Sequence, residues 1–177
     1  MKRKEKKKPI GATKGSTNER WCCKEISLWW SDGKDPNIFC RTNEGSQASE
    51  ERGDMKARKP EGFPLTKIFC FEFKHYRNVD LLELLDDRKE KLLLKWWNQV
   101  NENCQTIKST KVPFLLFKRN NRKPYVALDN TMVGALEDYG GLFPNDKIIE
   151  YADIMIMRWD TFKNKVRKDD IITIGKN

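Results

Sequence analysis

The chain reads as an α/β protein, a mixed central sheet flanked by helices. Three observations carry this: an apolar run from Ile68 to Lys74 with strand character, a stretch from Lys89 to Gln105 whose apolar residues recur at helical spacing, and two short apolar runs joined by a polar turn. The order helix, strands, helix, strands places helices against a sheet.

Taken in order, Ser16-Thr17-Asn18-Glu19 offers polar caps to a helix carrying Trp21, Ile26, Leu28, Trp29 and Trp30, which should end near Ser31-Asp32-Gly33. Lys34 to Glu61 is rich in Gly, Ser, Asn, Asp and charge, with one apolar island at Ile38-Phe39, and reads as loop and edge structure around Asp54. Ile68–Lys74 is the clearest strand. Leu81–Leu85 and Lys89–Gln105 are helical material, the second with Leu92, Leu93, Trp96, Trp97, Val100 and Cys104 on one face. Trp96 and Trp97 therefore belong to the core rather than to a stacking platform. Val112–Phe117 and Tyr125–Leu128 are strands around the basic turn Lys118-Arg119-Asn120-Asn121-Arg122-Lys123. Asn130–Glu137 forms a short helix, Tyr151–Met157 a further strand, and a polar helix or turn begins near Asp160.

At 177 residues the chain suits one compact domain, here 14–177, behind a basic tail, 1–13, read as disordered. Lysine and arginine outnumber acids by nine, which favours a polyanionic partner without proving one. The five cysteines, Cys22, Cys23, Cys40, Cys70 and Cys104, contain no Cys-x-x-Cys pair and stand near no histidine cluster, so neither a zinc site nor a disulfide framework is indicated. The basic start lacks the apolar core of a signal peptide and no run is long enough to span a bilayer, giving a cytoplasmic expectation.

The chemistry concentrates in Phe69-Cys70-Phe71-Glu72-Phe73-Lys74. Strand side chains alternate faces, so Phe71 and Phe73 can enter a core while Glu72 and Lys74 project together on the other side. A carboxylate can hold a hard divalent cation, and an adjacent ammonium can orient water or balance charge on a phosphate. The plain alternative is an ion pair on a solvated face, against which the apolar setting of the strand argues. Asp54 alone reads equally well as a turn residue after Gly53, and Glu19 as a first-turn acid complementing a helix dipole. His75, the sole histidine, lies on the opposite strand face from Glu72 and Lys74, which disfavours histidine-dependent catalysis.

Gly53-Asp54 followed by Glu72-Phe73-Lys74 resembles the bipartite acidic motif of the PD-(D/E)xK nuclease superfamily, with Gly53 at the place usually written as proline. Lys14-Gly15-Ser16 leading to Glu19-Arg20, Leu28-Trp29-Trp30, Phe39-Cys40-Arg41-Thr42, Trp96-Trp97-Asn98-Gln99 and Pro113–Arg119 are similar to the Holliday-junction-resolvase-like endonucleases of phages and bacteria, over most of the chain from Lys14 to about Phe162. The resemblance implies a restriction-endonuclease-like core. It implies that Asp54, Glu72 and the backbone carbonyl of Phe73 hold Mg²⁺, with Mn²⁺ as the other suitable ion and Glu19 as a further ligand. Lys74 would position water and stabilise the transition state, and Gln99 would touch the scissile phosphate or the water.

Arg41, Lys118, Arg119, Arg122 and Lys123 are candidate phosphate clamps, each also readable as an ordinary solvated loop residue. The expectation is thus a metal-dependent endonuclease acting on branched DNA in replication or recombination, as a homodimer matching a two-fold junction. The alternatives are a nuclease without branch specificity and a non-catalytic DNA-binding or scaffolding protein on the same fold. An RNA-binding module is disfavoured by the core-like placing of the aromatics.

Overall fold

The computed structural model describes residues 10–42, 53–76, 92–105, 111–140, 145, 149–151 and 153–176. A first helix, α1 (Ile10–Trp30), buries Cys22, Cys23, Ile26 and Trp30 along one stripe. It reaches four residues into the segment read as a tail, and Ser16–Glu19 lie inside it rather than capping it. Packing of the apolar stripe outweighs the weak helix preference of Ser, Thr and Asn. The far end is as expected: Asp32 and Gly33 both have positive φ, and the Gly33 N–H donates to the Leu28 carbonyl at 2.7 Å.

Two short strands, β1 (Phe39–Arg41) and β2 (Met55–Ala57), form an antiparallel pair with Arg41 opposite Met55. Ser27 ties α1 to this pair, its hydroxyl donating to the Cys23 carbonyl at 2.7 Å and accepting the Phe39 N–H at 3.0 Å. A single 3-10 turn, Pro60–Gly62, leads into a short helix, α2 (Phe63–Ile68), which the sequence reading did not contain. Ile68 therefore closes a helix instead of opening a strand. Helical periodicity cannot show in six residues that include Pro64.

The main sheet comprises β3 (Phe69–Tyr76), β4 (Val112–Arg119), β5 (Tyr125–Asp129), β6 (Ile149–Tyr151) and β7 (Ile154–Arg158), in the order β3-β4-β5-β7-β6. The β3–β4 pair is parallel and the other pairs antiparallel, so the sheet is mixed. The single strand expected at Tyr151–Met157 is a hairpin of two, with Ile149 opposite Ile156. Helices α3 (Leu92–Cys104), α4 (Asn130–Asp138), α5 (Trp159–Lys165) and α6 (Lys168–Ile174) complete the layers. The helix expected at Leu81–Leu85 lies outside the described residues.

Strand alternation divides the interior in two. Phe69, Phe71, Phe73, Phe114 and Leu116 join Cys22, Ile26 and Trp30 of α1 and Trp159 and Phe162 of α5 on one face. Cys70, Leu115 and Phe117 meet Leu93, Trp96, Trp97, Val100 and Cys104 of α3 on the other. Trp96 and Trp97 are buried, as their periodicity requires. All five cysteines are free thiols. The Cys104 thiol hydrogen-bonds Cys70 across the α3–β3 contact, which holds Cys104 up and Cys70 down from the ordinary thiol range.

Candidate active site

The site forms where β3 ends the sheet. The β3 backbone bonds β4 on one side, leaving its other side as an open edge. The segment entering β2 covers that edge: the Asp54 N–H donates to the Phe71 carbonyl at 2.7 Å, and Asp54 Oδ2 accepts the Phe73 N–H at 2.7 Å. One acidic residue thus takes the two bonds that a neighbouring strand would have made. In a strand the N–H and C=O of one residue point to the same side, so the Phe73 carbonyl faces the edge that the Asp54 carboxylate occupies.

Gly53 makes this approach possible. Its φ is +95°, and a Cβ there would stand 2.7 Å from the Phe71 carbonyl oxygen. The Thr42 hydroxyl fixes the same turn by donating to the Gly53 carbonyl at 2.7 Å. Asp54 is therefore a turn residue whose backbone and carboxylate are both bonded to the edge of β3.

Glu72 and Lys74 leave β3 toward α3, as their alternation dictates. Glu72 is only 3% exposed, and a buried carboxylate must have each oxygen satisfied. Glu72 Oε1 accepts from Lys74 Nζ at 2.6 Å and from Gln99 Nε2 at 2.9 Å, while Glu72 Oε2 accepts from Asn103 Nδ2 at 3.3 Å. Lys74 Nζ also donates to Gln99 Oε1 at 2.9 Å, closing a three-membered ring of hydrogen bonds. The network orients all three side chains, since no member can rotate without breaking two bonds.

Asn103 escaped the sequence reading because Asn101-Glu102-Asn103 looks like an exposed polar flank. The available signal was its place one helical turn beyond Gln99, which puts both amides on one side of α3. We expect Asn103→Ala to lower kcat for DNA cleavage about 10-fold with KM little changed, because Glu72 loses an orienting donor rather than its charge. An unchanged kcat would make the 3.3 Å contact incidental.

Burial, then the charge of Glu72, pushes the Asp54 carboxyl up from its ordinary range to about 7, against the Phe73 N–H, which pulls it down. The folded protein consequently holds a proton on Asp54 at pH values where the unfolded chain has released it. Stability from this group is gained as pH falls from about 7 toward about 4 and is lost as pH rises through the same window. In EDTA, urea unfolding of the wild type should lose about 2 kcal/mol more between pH 5 and pH 8 than that of Asp54→Asn. Parallel pH profiles for the two proteins would remove Asp54 as the origin.

Glu19, on α1, stands close enough to Asp54 to raise its pKa further, and its Oε2 pairs with Arg41 Nε from β1. The donor set of Asp54, Glu72 and the Phe73 carbonyl is all hard oxygen, without thiol or imidazole. The buried carboxylate of Glu72, which shares one ammonium, and the half-buried carboxyl of Asp54, which the Glu72 charge helps push up, together fit a hard divalent cation, which takes its remaining ligands from water and phosphate. Among the described residues, no group of three or more His, Cys, Asp or Glu side chains gathers as a self-sufficient metal cage.

The basic candidates sit differently. Lys118 and Arg119 lie opposite His75 and Tyr76, so the β4–β5 tip flanks the end of β3 that carries Lys74. Lys118 Nζ rests 4.7 Å from the centre of the Trp21 ring. Arg119 and Arg122 are exposed at the tip, and Lys123 pairs with Asp160 at 2.7 Å. No helix among the described residues is long and apolar enough to cross a membrane.

A mixed α/β sheet whose edge strand carries Glu-x-Lys, with an aspartate bonded to that edge from the preceding hairpin, defines a nuclease of the PD-(D/E)xK superfamily with a restriction-endonuclease-like core. The model of the family described as "Phage putative PDDEXK endonuclease" matches residues 11–173, and the chain belongs to that family. No curated protein matched the chain. No solved structure matched it either.

Proposed function

We propose that the protein is a metal-dependent endodeoxyribonuclease that hydrolyses phosphodiester bonds in branched DNA, in the manner of a Holliday junction resolvase, during phage replication or recombination. What supports hydrolysis is the convergence of Asp54, Glu72, Lys74 and Gln99 from a turn, one strand and a helix at one sheet edge. Water adds to phosphorus, the bond to the leaving oxygen breaks, and that oxygen takes a proton, giving a phosphomonoester and a hydroxyl.

Each residue has a task set by its surroundings. Asp54, Glu72 and the Phe73 carbonyl would hold Mg²⁺, with Mn²⁺ as an alternative and Glu19 as an additional acidic group. The bound cation supplies positive charge to the phosphate oxygens and makes water more acidic. The Lys74 ammonium, directed by Glu72 Oε1 and Gln99 Oε1, orients the attacking water and offsets charge as it develops on the phosphate. Gln99 keeps that ammonium in place and presents its amide to the water or the phosphate. Arg119 and Arg122, at the exposed tip, would fix the DNA backbone, as would Arg41, Lys118 and Lys123 after exchanging present partners for phosphate. A single nuclease domain with a basic N-terminal tail, acting as a homodimer in the cytoplasm of the host, would match two equivalent strands with two equivalent sites.

The test is cleavage of a labelled four-way junction and a matched linear duplex with Mg²⁺, with Mn²⁺ and with EDTA. Paired, metal-dependent cuts confined to the junction are expected. Equal cutting of both substrates would retain the nuclease and discard branch specificity, and DNA binding without any cutting would reassign the protein to a non-catalytic role.

A further inference from the structure

Two concavities lie against α1, and their charges differ. One, at the C-terminal end of the helix, mixes Glu25 and Asp32 with Lys163, Arg167 and Lys168, so an entering anion would meet like charge. The other, about 260 Å³, is bounded by Arg20, Lys24, Arg41 and Arg58 and has no carboxylate among the described residues that line it. Its lining also includes the buried Cys23, Phe39 and Cys40, neutral residues between the cations.

This second groove opens from the catalytic edge. Arg41 lines it, stands opposite Met55 in the β1–β2 ladder and pairs with Glu19, placing the groove's inner end one residue from Asp54. Arg20 follows Glu19 directly, Lys24 lies one helical turn beyond Arg20, and Arg58 follows β2 with its N–H on the Ile38 carbonyl at 2.8 Å. Rigid elements thus carry cations away from the site in a row. An arginine engaged through Nε still has four N–H donors for a phosphate.

We infer that this groove is a backbone-phosphate track, holding through Arg20, Lys24 and Arg58 the phosphodiesters of the DNA strand on one side of the bond to be cut. The inference rests on the nuclease reading above and adds the direction in which the substrate leaves the site. The track makes no use of base edges, so it sets the register of the strand without selecting sequence. Its contribution is electrostatic and must appear in the salt dependence of binding.

The test compares wild type, Lys24→Gln, Arg58→Gln, the double variant, and Lys168→Gln, which removes equal charge from the other concavity. Affinity for a short labelled DNA duplex is measured in EDTA from about 50 to 200 mM salt, and cleavage is followed with Mg²⁺. Each groove substitution should reduce the slope of log K against log salt by about 0.9, the double variant by about twice that, and Lys168→Gln by less than either single variant. KM should rise with kcat nearly constant. A wild type that cleaves DNA while the groove variants keep its slope, or while Lys168→Gln matches them, overturns the track and leaves the nuclease standing. A wild type that neither binds nor cuts DNA overturns the nuclease reading and the track with it.

Discussion

Glu72→Gln is expected to abolish metal-dependent cleavage while leaving the protein folded and able to bind DNA. Glutamine preserves the volume of the side chain, and its carbonyl can still accept from Lys74 and Gln99 at the positions now filled by Glu72 Oε1. What it removes is the buried negative charge of Glu72, beside the half-buried carboxyl of Asp54. The loss of cation affinity and of ammonium alignment together should lower kcat by at least about 10²–10³-fold, the scale seen when one preorganised electrostatic group is removed. Circular dichroism and DNA affinity in EDTA should match the wild type. Full activity in the variant would place the chemistry elsewhere, and an unfolded variant would reassign Glu72 to structure.

The second large effect concerns a residue with no side chain. Gly53→Ala should destabilise the protein by about 2–4 kcal/mol, because the new methyl would sit 2.7 Å from the Phe71 carbonyl at a φ of +95°. Gly53→Pro, which restores the residue usual in the superfamily motif, should be worse still. A proline ring fixes φ near −65°, so the turn would have to reverse and Asp54 would leave the edge of β3. Thermal unfolding and cleavage assays on both variants read this directly. A stable, active proline variant would show that the turn has a second conformation able to present Asp54.

The parts of the fold legible in the sequence were those where one physical signal acts alone. Alternation gave β3 and the shared face of Glu72 and Lys74, and helical spacing gave α3 with Trp96, Trp97 and Val100 buried. The parts that were not legible are those where tertiary contacts overrule local preference or the element is too short for a period. Helix α1 runs through Ser16–Asn18 and buries Asn18, although these residues resemble a cap. The hairpin Ile149–Arg158 read as one strand over Tyr151–Met157, because only its second arm is apolar and the first, three residues long with Glu150 at its centre, is too short to show a period. Within the site, Glu72 and Lys74 were legible from alternation and Asp54 and Gln99 from motif resemblance, while the bonds among Glu72, Lys74 and Gln99 and those of Asp54 to the β3 backbone follow from the fold. Asn103 required knowing which flank of α3 faces the strand.

The bonding of Asp54 to β3 also bears on how the protein fails. The two backbone groups it covers, on Phe71 and Phe73, sit in an eight-residue strand that is apolar over most of its length. Such an edge, once bare, is a template on which another chain can add a strand. The acidic residue proposed to hold the cation is therefore also a guard against self-association, and damage to the Gly53 turn should produce aggregates before it produces a soluble, inactive protein.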